Sequence, residues 1–295
     1  MPQFKVIGLL GRGGMGAVSR CRQSSLDRHV AVKVLSQELG DQDDANFVAR
    51  FKQEAKTMAQ LSHPGIVPVF DAGETAGGLL YFVMEFIQGT DVAQMLREQG
   101  RLPPGHALSI TAHVCGALAY AHQQGVVHRD VKPANVIIDI HCRVRVADFG
   151  LAKSMDPGRF GGLTRSNMAM GTPDFIAPET MSPGMPVDHR ADLYAVGVML
   201  YNMLTGEVPR GMFKLPSQKA RSDPRFDEIV VKAVQTELIE RYQSATEIRR
   251  DLDVILNAPL ETAEIPQEEL EATIQIAKRC RKARDHLRTI RRPGQ

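Results

Sequence analysis

The chain has 295 residues, 43 % of them hydrophobic and 24 % charged, with a formal net charge of +2. This describes an ordinary soluble protein of one large domain or two lobes, with ample material for a core and no global charge favouring nucleic acid. Charge is uneven only near the end, where Lys278 to Arg292 holds eight basic residues and one acidic, Asp285. The four cysteines, Cys21, Cys115, Cys142 and Cys280, show no Cys-x-x-Cys spacing and no histidine at metal spacing, as expected of thiols in a reducing cytoplasm. The N-terminus lacks the apolar run of a signal peptide. The longest apolar-rich stretch, Tyr194 to Leu204, is too short to cross a bilayer and contains Asn202, so the chain as given reads as cytoplasmic and without a membrane span.

In chain order, the first eighty-odd residues read mainly as strands with one helix. Phe4–Leu10 and Ala17–Arg22 flank a glycine-rich turn, and His29–Leu35 alternates in strand fashion. Asp43 to Leu61 is a helix with Phe47, Phe51, Met58 and Leu61 on one apolar face. It stops before His63, Pro64 and Gly65, where proline and glycine end helices. Leu79–Met84 is a further strand and leads into a hinge beginning at Glu85. Beyond it the pattern is mostly helical: Asp91–Gln99, Gly105–Gln123, Arg190–Leu204, Phe226–Thr236 and Ala245–Leu256. Short strands at Val136–Ile138 and Val144–Ala147 interrupt it.

After Leu256, residues 257–266 read as a linker bracketed by prolines, and 267–292 as a charged helical tail. The tail begins acidic (Glu268, Glu269, Glu271) and ends basic, which suits a helix dipole. Ile276, Cys280, Ala283, Leu287 and Ile290 form an a/d-like seam of about two heptads, short for a coiled coil. Three readings stay open there: a helix docked on the large lobe, self-association through this C-terminal helix, and a basic segment that meets anionic lipid in a longer protein.

Two segments carry the chemistry. Residues 128–135 read His-Arg-Asp-Val-Lys-Pro-Ala-Asn, and Asp148, Phe149 and Gly150 follow. Phosphoryl transfer needs one carboxylate for the acceptor hydroxyl and further oxygen ligands that hold magnesium against the nucleotide phosphates. The segments resemble the protein-kinase signature set, which would give Asp130 the first role and Asn135 and Asp148 the second. Upstream, Gly11, Gly13 and Gly16 form a Gly-x-Gly-x-x-Gly turn. Dinucleotide-binding folds share that spacing but open a helix after it, whereas here a second strand follows. Without Cβ atoms such a turn lets backbone amides approach phosphates. Lys33 then follows in an alternating strand, and Glu54 on the next helix.

From about Phe4 to Leu256 the chain resembles the catalytic domain of protein kinases, and most closely the bacterial Hanks-type (eukaryotic-like) serine/threonine kinases. The resemblance implies an α+β, bilobal protein kinase fold: a β-rich N-lobe with one regulatory helix over 4–84, a hinge at 85–90 and a mostly helical C-lobe over 91–256. It implies an ATP- and Mg2+-dependent serine/threonine protein kinase, with Mn2+ as a substitute metal, acting on protein substrates. Lys33 would reach the α- and β-phosphates with Glu54 as its ion-pair partner, and Lys132 would neutralise charge on the transferred group. Leu10, Val18, Ala31 and Ile137 would line the adenine slot with Met84 at its back. The Glu85 and Ile87 backbones would bond the ring edge, while Asp91 would either meet the ribose or cap the helix that follows.

In the same terms His128 and Phe149 would be structural and stack with Met58 and Val69. Glu179 would pair with Arg241, and Asp192 would brace the catalytic loop. Thr164 and Ser166 stand where activating phosphates are expected, with Arg129 as their partner, although both remain readable as plain loop hydroxyls. Thr172 would contact Asp130 and Lys132 and favour serine or threonine acceptors. Members of the family often continue into a membrane span. Two other readings are a pseudokinase scaffold and a small-molecule kinase of related fold. Retention of Lys33, Asp130, Asn135 and Asp148 speaks against the first; Lys132, the 171–179 segment and Asp192 favour a protein substrate over the second. On either enzymatic reading, chemistry should depend on Asp130 and Asp148 far more than folding does.

Overall fold

In the computed structural model the described residues are 1, 3–13, 16–36, 45–149, 174–182, 184–185 and 187–258. Thr164, Ser166, Thr172, Gly150 and the tail over 267–292 lie outside them, as does nearly all of the linker.

Five antiparallel strands build the small lobe: β1 (Phe4–Gly13), β2 (Gly16–Gln23), β3 (Arg28–Leu35), β4 (Val69–Glu74) and β5 (Leu80–Glu85), in the order β1-β2-β3-β5-β4. Because side chains alternate across a strand, each face of β3 is committed to a different core. Val30 and Val32 pack with Phe4, Cys21, Tyr81 and Val83. Ala31 and Leu35 join Phe82, Met84 and the helix α1 (Ala45–Ala59). That helix contributes Phe51, Ala55 and Met58, spaced for one face. The Phe51 and Phe82 rings meet at 4.5 Å and 52°. Of the apolar face expected from sequence, Phe51, Met58 and Leu61 are buried; the side chain of Phe47 is outside the described residues.

The large lobe holds α2 (Val92–Gln99), α3 (Pro104–Gln123), α4 (Arg190–Thr205), α5 (Pro216–Ala220), α6 (Arg225–Ala233) and α7 (Ala245–Asn257). The middles of α3 and α4 are apolar nearly all round, the signature of helices buried on every side. Val114, Cys115, Leu118, Val196, Leu200 and Met203 are all at 0 % exposure. Burial pushes the Cys115 thiol up to about 12, so it is an inert packing group. Gly197 lets α4 and α6 close on each other, since a Cβ there would lie 2.4 Å from the Ala233 Cβ. Helix α7 starts at a Ser244 cap that accepts from the Glu247 N–H and packs inward through Ile248, Leu252 and Ile255.

A small sheet at the lobe junction positions the site. Strands β6 (Gly89–Asp91), β7 (Val136–Asp139) and β8 (Val144–Val146) pair in that order. It draws together the end of the hinge, the residues after Asn135 and the residues before Asp148. The loop after α1 completes the junction: Val146 N donates to Gly65 O at 2.8 Å and Val67 N to Val146 O at 2.9 Å. Among the described residues no helix is long and apolar enough to cross a membrane.

Candidate active site

The loop bearing Asp130 is fixed from below by one carboxylate. Asp192, in the first turn of α4, is fully buried and accepts from His128 N at 2.8 Å, Arg129 N at 2.7 Å and His122 Nε2 at 2.8 Å. Those bonds hold Arg129 at φ 66°, a left-handed conformation that a non-glycine residue keeps only when its surroundings over-determine it. The expected brace is therefore formed, with His122 as a member that sequence reasoning missed. Nothing in the local pattern of α3 marks His122, whose partner lies seventy residues away.

His128 links the two halves of the site. Its buried ring bonds Ala147 O through Nε2 at 2.9 Å and takes the Asp130 N–H on Nδ1 at 3.2 Å, an arrangement that fits the neutral ring. It also stacks on Phe149 at 4.5 Å. Phe149, Met58 and Val69 in turn line one cavity with Phe82 and Met84.

At the centre, Lys132 Nζ lies 2.8 Å from Asp130 Oδ1 and 2.7 Å from Oδ2. The short helical turn Pro133–Asn135 brings the Asn135 amide back, donating to Asp130 O at 2.8 Å and Oδ2 at 3.0 Å. Among the described residues nothing donates to the Asn135 amide oxygen. Ala147 N bonds Asn135 O at 2.8 Å, tying the residue before Asp148 to Asn135. One amide oxygen and one carboxylate are oxygen donors of the kind that suit a hard divalent cation.

Lys33 Nζ is paired with Asp148 Oδ2 at 2.7 Å. The ammonium is nearly buried and takes the carboxylate that reaches it. Glu54 is half-buried on the flank of the Phe51, Ala55 and Met58 stripe, so the seating of that stripe on Phe82 fixes its position. Asp148 itself stands at φ 63°.

Above Lys33 the β1–β2 hairpin closes at Gly13 opposite Gly16. The three glycines differ in purpose. A Cβ on Gly16, at φ 133°, would sit 2.0 Å from Val34 O, so the sheet itself demands this glycine. Gly11 and Gly13 would place a Cβ in open space, with no atom within 4 Å. That room is what a phosphate needs to approach the backbone.

Val18, Ala31, Met84 and Ile87 belong to one apolar cluster, and Ala31 and Met84 are cross-strand partners. Leu10 is half exposed on β1 and Ile137 half-buried on β7. In the hinge the Glu85 N–H is taken by Pro68 O at 3.0 Å, whereas no described residue bonds the Ile87 backbone. Asp91 caps α2, accepting the Gln94 N–H at 2.8 Å.

Farther out, Glu179 and Arg241 form the expected pair. Both are buried, with bonds of 2.8 and 3.2 Å, and Arg241 also donates to Gln235 O and Arg190 O. Among the described residues the buried Arg129 Nε has no partner.

Comparison with known proteins gives a consistent picture. The protein kinase domain family matches residues 4–286, thirty residues past the Leu256 boundary expected from sequence. Serine/threonine-protein kinase PknB of Mycobacterium tuberculosis is 39 % identical over 263 residues, covering 83 % of this chain and 41 % of PknB. Serine/threonine-protein kinase pkn3 of Myxococcus xanthus is 36 % identical over 275 residues, covering 86 % of this chain and 50 % of pkn3. The chain thus spans about two fifths to one half of these curated relatives. Among solved structures, the PknI kinase domain of Mycobacterium tuberculosis superposes with a TM-score of 0.71 at 32 % identity, covering 85 % of this chain and 95 % of that one.

Proposed function

Because the chain belongs to the protein kinase domain family, we propose that it is a serine/threonine protein kinase that transfers the γ-phosphate of ATP to protein hydroxyls with magnesium as its working metal. The observation that carries this reading is the Asp130, Lys132 and Asn135 cluster standing beside an intact Lys33–Asp148 pair. A scaffold without chemistry has no use for five polar groups held at this geometry.

Asp130 orients the acceptor hydroxyl and receives its proton, and its rigid loop supplies the in-line positioning on which phosphoryl transfer depends. Lys132, already within 2.8 Å of Asp130, neutralises charge where the phosphoryl group passes. Lys33 holds the α- and β-phosphates beneath Gly11 and Gly13. Asn135 and Asp148 would hold the divalent ion, which when bound would offset charge on the phosphates. Val18, Ala31 and Met84 exclude water from the adenine faces, and Ile87 reads its edge.

The reading is tested with the full chain, ATP and a generic basic protein. Magnesium should support transfer to serine and threonine, manganese should substitute, and chelation should abolish it. Transfer that persists in excess chelator, or none under any metal, would overturn the assignment.

Thr164, followed by Ser166, is the proposed site of activating autophosphorylation. The support is the Arg129 Nε next to Asp130 in the chain, buried and without a partner among the described residues, a donor of the type that binds phosphate. Mass spectrometry after incubation with ATP should find phosphate on Thr164 and none in Lys33→Met. Full activity in Thr164→Ala, with phosphate confined to the small lobe or tail, would sink it.

A further inference from the structure

Arg145 on β8 is named by no motif, yet it touches three segments. Its Nη1 donates to Pro64 O at 2.7 Å and reaches Ile66 O at 3.5 Å, and its Nη2 lies 3.6 Å from the Glu85 carboxylate at the start of the hinge. Its side chain is only 12 % exposed, and among the described residues the Nε has no partner. Across the small sheet it is paired with Ile137, the residue expected beneath the adenine. Backbone bonds reinforce the same triangle. Val146 holds Gly65 and Val67, and Glu85 N donates to Pro68 O.

Stability does not explain this residue. A buried guanidinium with one unpaired N–H is costly, and a hydrophobic side chain of similar volume commonly serves folding as well or better. What the charge does achieve is geometric. Three residues after Arg145 comes Asp148 at φ 63°, a conformation that persists only where neighbouring structure enforces it. Glu85 opens the segment in which Ile87 is left with its backbone groups unbonded.

We propose that Arg145 is a positioning residue for the nucleotide: it clamps the 64–68 loop and the Glu85 end of β5 onto β8, fixing the hinge that reads the adenine relative to the Asp148 that holds the metal. This deepens, and rests on, the kinase reading above. The residue touches neither nucleotide nor metal and acts through Glu85 and β8.

The test reads nucleotide affinity directly, with a fluorescent ATP analogue in an Asp130→Asn background, so that it does not depend on turnover. Arg145→Gln should weaken binding about tenfold, and Arg145→Lys, which keeps the charge, should recover most of the loss. In the active chain the same change should raise KM for ATP with kcat and KM for the protein substrate little altered. A purely structural residue would lower the melting temperature and leave this split unmoved. Affinity for the analogue within twofold of the parent in Arg145→Gln overturns the proposal. Should that variant fail to fold, Glu85→Gln decides alone: about threefold weaker binding supports the clamp and unchanged binding removes it. A wild-type chain without transfer activity would instead count against the kinase assignment, so the two failures are distinguishable.

Discussion

An Asp130→Asn variant is expected to lose about 10²–10⁴-fold in phosphoryl-transfer turnover, the range supplied by a positioned general base, while its stability stays within about 1 kcal/mol of the parent. The contrast follows from where the carboxylate sits. Its side chain is 26 % exposed and its partner Lys132 36 %, and ion pairs this open contribute little to folding. The amide substitute keeps the shape and still meets Asn135. Turnover and thermal melting measured on the same preparation check both halves, and wild-type turnover in this variant is the result that would end the assignment. Asp148 is a poorer probe than the sequence implied. Lys33, its partner at 2.7 Å, is nearly buried, so Asp148→Asn strands an ammonium and should cost roughly 1–3 kcal/mol as well as activity. Loss of turnover in Asp148→Asn would therefore mix chemistry with stability.

The largest effect on folding is expected far from the reacting atoms. Arg241→Met should destabilise the protein by about 3–5 kcal/mol, the cost of leaving one member of a buried ion pair uncompensated. For a domain of this size that is on the order of 5–15 °C in melting temperature. Arg241 and Glu179 are at 0 % and 4 % side-chain exposure, and the arginine also satisfies the carbonyls of Gln235 and Arg190. Replacing both partners, as Glu179→Leu with Arg241→Met, should return part of the loss, because the stranded Glu179 charge disappears. The carbonyls would stay unsatisfied, so recovery should be incomplete. A single variant that melts like the parent would show that the pair is not under tension from burial. Because Glu179 follows the segment that carries Thr164, the same variant should also lose activity through misplacement of that segment.

Much of this protein is legible along the chain because its chemistry is carried by short spacings. Asp130, Lys132 and Asn135 are close in sequence and are brought together by a single turn, so the pattern alone identifies the cluster. The alternation of β3 and the one-sided stripe of α1 likewise announce a strand and a helix. Strand β4 escaped notice for the opposite reason: Val69–Glu74 is an edge strand with exposed Phe70, Asp71 and Glu74, and so carries no alternation to read. Strand β6 was hidden inside the hinge, since three residues are too few for any period.

Only the tertiary structure decided which of several available partners each charged group takes. Sequence names Glu54 as the partner of Lys33 and gives Asp148 to the metal, and the fold brings the Asp148 carboxylate to 2.7 Å from the lysine. Sequence assigns all three glycines of the turn to phosphate, and the approach of Val34 O shows that Gly16 is required by the strand beside it. The Arg145 clamp and the His122 contact to Asp192 have no local signature at all. Local spacing encodes which groups can share a face, because backbone geometry repeats. It does not encode long-range pairings, which are fixed by how helices and sheets seat their apolar faces against each other.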